Sequence, residues 1–335
     1  MIHFSKLNWS FILLIFLIGA LFSFNDSSAD ADYYYTLYED INRRVYFSVE
    51  PGFVFLCTFF KNLGFSYIQF RIVIGLLVVI LIGSTILRYS KYPSLVLICY
   101  FCYPFLLDCA QVRHMIACSI FIYSIRFLEI YNLRNLVSFI ICIIIASSIQ
   151  MIAWAFLCFL PIYIFRNKKI FYTLCLFCTI ILFLSITMVM KLPIIRYLLE
   201  LRSKEGAYEL GIPISQLILY LIFYIGIVII AVNMKSSTQN VAKESFLARF
   251  SMLSLIFLPI LLVDFQFTRL FRACLIPIYI SCWNNISAMR QDNRSIVGGI
   301  MLIVFALVFY KLFISSANYY ESLTYPILLE NLLVK

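Results

Sequence analysis

Long apolar runs separated by short polar breaks occupy most of the chain. They fall at about 9–24, 68–87, 94–107, 114–130, 136–165, 170–190, 213–234, 246–263, 273–289 and 295–315. A helix needs roughly 20 mostly apolar residues to cross a bilayer, so each run reads as a candidate span. The run 136–165 is too long for one crossing. Its residues would make a helix of about 45 Å, against a hydrocarbon core of about 30 Å. Arg134 precedes it, and Arg166, Lys168 and Lys169 follow it. One crossing would put these cations on opposite sides. Two short arms broken near Ser147-Ser148-Ile149-Gln150 put them on the same side, as the positive-inside tendency favours. Such a break is tolerated where it lines a protein cavity, so a thin or re-entrant geometry is expected there. The pattern predicts an all-α integral membrane protein, a single polytopic domain over 1–335. It has about 11 transmembrane helices with a broken helix pair near 136–165, the N-terminus inside and the C-terminus outside.

With this topology the long connections, 25–66, 191–212 and the tail after 315, all lie outside. Of 16 acidic residues only Glu129, Glu244 and Asp292 fall inside. The working surface is therefore expected on the outer face. No internal repeat is visible, which weighs against transporters built from duplicated halves.

Composition sharpens the picture. The 335 residues are 64% hydrophobic and only 13% charged, where a soluble domain has about 25% charged residues. A soluble enzyme, a nucleic-acid-binding domain and a disordered chain are excluded. The net charge of +10 comes from cations spread singly between apolar runs, so it reads as topology and not as a nucleic-acid surface. Most of the 11 cysteines sit inside apolar runs, as small hydrophobes do. Cys99-x-x-Cys102 and Cys175-x-x-Cys178 lack acidic or histidine partners, so neither a disulfide framework nor a structural zinc is expected. His3 and His114 are the only histidines, too few for a histidine-rich metal site, and a Ser-His-Asp triad is not expected.

Charges close to spans are costly and mark function by default. The first outer segment carries Asp30-Ala-Asp32, then Tyr33-Tyr34-Tyr35, Glu39-Asp40, Arg43-Arg44 and Glu50-Pro51-Gly52-Phe53. Acids beside aromatic rings can hold a sugar, with Asp32 accepting from hydroxyls and Tyr35 stacking on the ring. The bland alternative is an interfacial tyrosine belt. Glu50 opens an amphipathic stretch, with Pro51 suited to a first helical turn. Arg113, beside Asp108 and His114, stands at a span mouth, where its planar fork suits phosphate or pyrophosphate. The alternative there is a snorkelling arginine. His114 reads as a polar neighbour of Arg113 more than as a base. Arg269 and Arg272 form a second such mouth and share a face if helical, with Asp264 available to pair. The loop 191–212, including Arg196, is mixed in charge and reads as a solvated amphipathic helix or a lid.

Together these pieces resemble the EpsG family of polysaccharide polymerases, related in role to Wzy O-antigen polymerases. The resemblance rests on Asp32-Tyr33-Tyr34-Tyr35, Glu50-Pro51-Gly52-Phe53, Val112-Arg113 followed by Ala117, Gln150 through Leu160-Pro161-Ile162-Tyr163, and Arg269-Leu270 leading to Pro277. Two positions depart from the family pattern: His114 stands where the family commonly has Gln, and Gln150 where it commonly has His. A proton-transfer role for that family His is therefore not carried over, and Gln150 is expected to bind substrate instead.

The resemblance implies a multi-pass, GT-C-like glycosyltransferase of the bacterial inner membrane, with its active site facing the periplasm. It would join repeat units carried on undecaprenyl pyrophosphate into O-antigen or a related lipopolysaccharide or surface polysaccharide. Its expected catalytic residues are Arg113, Glu50 and Arg269. Asp32, Tyr35, His114, Gln150, Arg272 and Arg196 are expected to bind substrate, and the base is Glu50 or Asp32. No metal or other cofactor is expected, because pyrophosphate already leaves well. The expected partners are the lipid-linked oligosaccharide, the bilayer and a chain-length regulator. The competing readings are a lipid-linked oligosaccharide flippase or other transporter and an O-antigen ligase. A membrane acyltransferase is disfavoured by the shortage of histidine.

Overall fold

The computed structural model describes residues 8–42, 49–165, 167–189, 214–232, 241–263 and 265–334. Among the described residues the regular structure is helical throughout, with no strand. Among the described residues, five stretches are long and apolar enough to cross a membrane: Tyr67–Tyr89, Pro93–Ala110, Lys168–Val189, Ser245–Leu262 and Gln291–Ile314. Shorter apolar helices lie at Trp9–Ser23, Leu133–Ile149, Met151–Ile164 and Ile218–Val232. By length and composition alone, then, five helices qualify where the hydropathy runs predict eleven spans. Within the described residues, the break after Ile149 shortens the helix Leu133–Ile149, and three charged residues, Arg113, Arg126 and Glu129, interrupt the apolar run Val112–Glu129. The described residues cluster into two compact units. One runs up to Leu157 and resumes at Met289; the other is Cys158–Ala288.

The first unit is built on α1 (Trp9–Ser23), α4 (Tyr67–Tyr89), α7 (Val112–Glu129) and α8 (Leu133–Ile149). Each packs on the next in that order. Where α1 meets α4, a Cβ added to Gly75 would strike the Ser23 hydroxyl. Small residues let helices approach in this way where lipid offers no hydrophobic drive between them. A reciprocal capping box between Ser66 and Gln69 starts α4. One turn in, the fully buried Arg71 donates to the Phe22 carbonyl and to the Tyr67 hydroxyl, with its guanidinium 4.6 Å from the Phe22 ring centroid. It thereby satisfies an otherwise orphaned carbonyl at the negative end of α1.

Two shorter helices, α2 (Ala31–Asp40) and α3 (Pro51–Asn62), lie between α1 and α4 in sequence. The α2 face formed by Ala31, Tyr34, Leu37 and Tyr38 is buried. In α3, Phe53 and Cys57 face inward while Phe55 and Phe59 are exposed. Helices α5 (Pro93–Tyr100) and α6 (Leu106–Ala110) are joined by a wide turn. There Tyr103, which precedes Pro104, leaves the helical region, as residues before proline tend to do.

The break in the long apolar run is present. Helix α8 ends at Ile149, and Gln150 is extended with φ −146° and ψ 108°. A 3-10 segment, Met151–Phe159, and the short α9 (Pro161–Ile164) follow. Past the break the chain turns back along α7. Met151 sits by Glu50, which pairs with Arg113 at the start of α7. Phe156 stacks on Phe121, deeper along α7, with ring centroids 3.9 Å apart. The two contacts are about 12 Å apart along the α7 axis at 1.5 Å per residue, so the segment runs back alongside α7.

The second unit holds α10 (Lys168–Val189), α11 (Ile214–Val232), α12 (Val241–Ser254), α13 (Thr268–Arg272) and α14 (Leu275–Ser287). Side chains of α14 close the end of α11: Ser281 donates to the Ala231 carbonyl at 2.9 Å, and Asn285 to the Ile230 carbonyl at 2.7 Å. The buried Arg249 of α12 does the same for α9, donating to the Ile162 and Phe165 carbonyls at 3.2 and 2.8 Å. The last long helix, α15 (Gln291–Phe309), returns to the first unit.

Candidate functional site

Three elements of the first unit meet at one ion pair. Glu50 is the extended residue immediately before α3, and Pro51 takes the first helical position. Its side chain makes no cap bond to its own helix and reaches sideways instead. Arg113 Nη1 donates to Glu50 Oε2. The Met151 backbone N–H donates to Glu50 Oε1 at 3.0 Å. One carboxylate thus ties the start of α3 to the start of α7 and to the first residue after the helix break. The Arg113 and Glu50 side chains are 20% and 17% exposed, so the pair is shielded yet reachable.

Local sequence explains the placement. Gln111 leaves the helical region between α6 and α7, which puts Arg113 in the first turn of α7. Gln150 breaks α8, which frees the Met151 amide from the helical ladder. Gly52 lets α3 approach the break: a Cβ on it would stand 2.7 Å from the Ser148 carbonyl oxygen. Tyr34 of α2 is buried at the same place, its ring centroid 6.0 Å from Arg113 Cζ and 5.9 Å from that of Phe53. Burial pushes the Tyr34 phenol up, Arg113 pulls it back and Asp30 raises it again.

Asp32 lies in the first turn of α2 and is exposed. Tyr35 is 54% exposed, with its ring edge-on to Tyr67 at 5.6 Å. His114, one residue after Arg113, turns inward. It is buried 3.7 Å from Asp108 Oδ1, with Cys118 Sγ 3.2 Å from its Nε2. The Tyr100 hydroxyl donates to Asp108 Oδ2 at 3.2 Å. Successive helical residues point about 100° apart, so Arg113 and His114 serve different surroundings. Gln150 is partly exposed and adjoins the amide that holds Glu50. Arg269 and Arg272 lie on α13 in the second unit, Arg269 partly exposed and Arg272 buried. Arg196 and the loop 191–212 lie outside the described residues, as do Asp264, Arg43 and Arg44.

The structure therefore brings Glu50, Arg113 and the segment after Gln150 together. It adds two groups that the sequence reading did not single out, the Tyr34 ring and the Met151 amide. The period of α2 carried the signal for Tyr34, since Ala31, Tyr34, Leu37 and Tyr38 share one helical face. A backbone amide has no such signal. Arg71, a lone cation in an apolar run, caps the end of α1 and lies outside this group. Among the described residues no cluster of three or more His, Cys, Asp or Glu is placed to hold a metal ion.

Among the described residues the protein is all-helical, with five helices long and apolar enough to cross a membrane and the Arg113–Glu50 pair at two helix starts, which marks it as a membrane protein. The chain belongs to the EpsG family, whose pattern matches residues 7–327. No curated protein and no solved structure matches it.

Proposed function

We propose that this protein is a membrane glycosyltransferase that polymerises oligosaccharide repeat units carried on undecaprenyl pyrophosphate. Its site would face the periplasm of a bacterial inner membrane, and the product would be O-antigen or a related surface polysaccharide. About eleven helices would span the bilayer, a reading supported by helical segments within the predicted apolar runs, and a GT-C-like arrangement is proposed with it. The observation that carries this reading is the partly exposed Arg113–Glu50 pair at the helix break, in a chain of the EpsG family.

The chemistry follows from the residues. The bond between the anomeric carbon of the growing chain and its pyrophosphate oxygen breaks. A bond forms from that carbon to a hydroxyl oxygen of the incoming lipid-linked unit. Arg113 stabilises the charge that builds on the departing pyrophosphate, as fixed donors aimed at developing charge do. Glu50 accepts the hydroxyl proton. Undecaprenyl pyrophosphate leaves, its tail held against apolar helix faces. Gln150, Tyr35 and Asp32 contact sugar hydroxyls and ring faces. Arg269 is proposed as a further catalytic cation, Arg272 and Arg196 are proposed to bind substrate, and His114 is proposed to support the site from its buried position beside Asp108; a separate chain-length regulator is the proposed protein partner.

The test uses cells in which this chain is replaced by Arg113→Ala. A polymerase lesion leaves single repeat units displayed on the surface. Loss of all surface units would instead indicate a flippase or a ligase and would overturn the proposal.

A further inference from the structure

We propose that Glu50 occupies the anion seat of Arg113 as a built-in competitor, and that a diphosphate head displaces it. The carboxylate is then freed to take a proton only when the leaving group is in place. This deepens the proposed function and rests on its assignment of Arg113 to the pyrophosphate.

The geometry supports an exchange. A guanidinium carries five N–H donors in a rigid fork that suits carboxylate and phosphate alike. Here Glu50 takes Nη1, while Arg113 Nε is buried with no hydrogen-bond partner among the described residues. A diphosphate carries more charge than a carboxylate and offers several oxygens, so it competes for Nη1 and can engage further N–H groups of the fork.

Glu50 would not drift away when released. Its second oxygen stays on the Met151 amide. Its backbone is held by Pro51 at the helix start and by Gly52 against Ser148. Displacement is therefore a short swing about the Met151 bond, which leaves the carboxylate beside the bound head group. While Arg113 holds Oε2, one of that oxygen's lone pairs is committed and the carboxylate is less available to a hydroxyl. The consequence is order: the base is unmasked after the leaving group is seated, which limits proton abstraction without transfer.

The experiment measures farnesyl diphosphate binding to the purified full-length protein at fixed ionic strength. Wild type is compared with Glu50→Gln and Arg113→Ala. Glu50→Gln keeps an acceptor for the Met151 amide but removes the competing charge. It is expected to bind about three- to tenfold more tightly than wild type, and Arg113→Ala at least about tenfold more weakly. If Arg113→Ala weakens binding while Glu50→Gln does not strengthen it, the competition is overturned and the anion seat stands. If Arg113→Ala binds as wild type does, the anion seat itself fails. A second measurement avoids substitutions. Carbodiimide labelling of Glu50 in the wild type, read by mass spectrometry, should rise when inorganic pyrophosphate is added; unchanged or reduced labelling contradicts the proposal.

Discussion

Gly52 packs directly against the backbone of Ser148, so that a Cβ added to Gly52 would stand 2.7 Å from the Ser148 carbonyl oxygen and also strike its hydroxyl. The carbonyl belongs to the last turn of α8, and no rotamer change moves it. The approach matters because Gly52 is two residues from Glu50, and the Glu50 carboxylate is bonded to the amide just past the break.

Gly52→Ala should therefore push α3 away from the break. The expected loss of turnover is about tenfold to a hundredfold, the range for a misplacement of about 1 Å. Overpacking should cost about 1–3 kcal/mol of stability. Steady-state rates on purified protein, alongside its thermal unfolding, check both. Wild-type rates would remove Gly52 from the positioning of the site.

The choice between two candidate bases can be decided by substitution. Glu50 is held by two donors at the site, whereas Asp32 is exposed in the first turn of α2. Glu50→Gln should lower turnover by about a hundredfold or more. Asp32→Asn should change mainly KM, by a few-fold, as loss of a uniform binding contact does. The opposite ranking in single-turnover assays would move the base to Asp32.

Much of this arrangement was legible in the chain, and the reasons differ by residue. The break at Gln150 was legible because four cations flank an apolar run too long for one crossing. Glu50 and Arg113 stood out because charges at span mouths are costly. Their pairing was not legible, since 63 residues separate them and they meet where α3 and α7 both pack on α8. His114 was read as a neighbour of Arg113, but adjacent helical residues face different surroundings, and its own are Asp108 and Cys118. Tyr35 drew attention as an aromatic beside acids, while the helical period of α2 directs Tyr34 toward Arg113.

Tyr34 supplies a ring beside the Arg113 guanidinium, an interaction of about 0.5–2 kcal/mol when partly desolvated. Tyr34→Leu should raise KM for the lipid-linked substrate several-fold, and Tyr34→Phe, which keeps the ring, should raise it less. Equal effects in a KM and kcat comparison would show that the ring contributes nothing to Arg113.

Arg71 is buried and donates to the Phe22 carbonyl at the end of α1. Arg71→Met fills similar space but leaves that carbonyl without this donor. It should lower stability by about 1–3 kcal/mol, with the rate per folded molecule retained. Thermal unfolding in detergent together with active-site-normalised rates checks this. A catalytic loss without a stability loss would place Arg71 in the chemistry instead.

The proposed role of the Arg113–Glu50 pair is to catalyse polymerisation of lipid-linked repeat units. Its most direct test is the purified protein incubated with undecaprenyl-pyrophosphate-linked repeat units, with products resolved by length. Wild type should give a ladder of increasing chain length, and Arg113→Ala or Glu50→Gln no ladder when each is folded. A wild-type protein that makes no ladder, or a ladder that persists undiminished in Arg113→Ala, would contradict it.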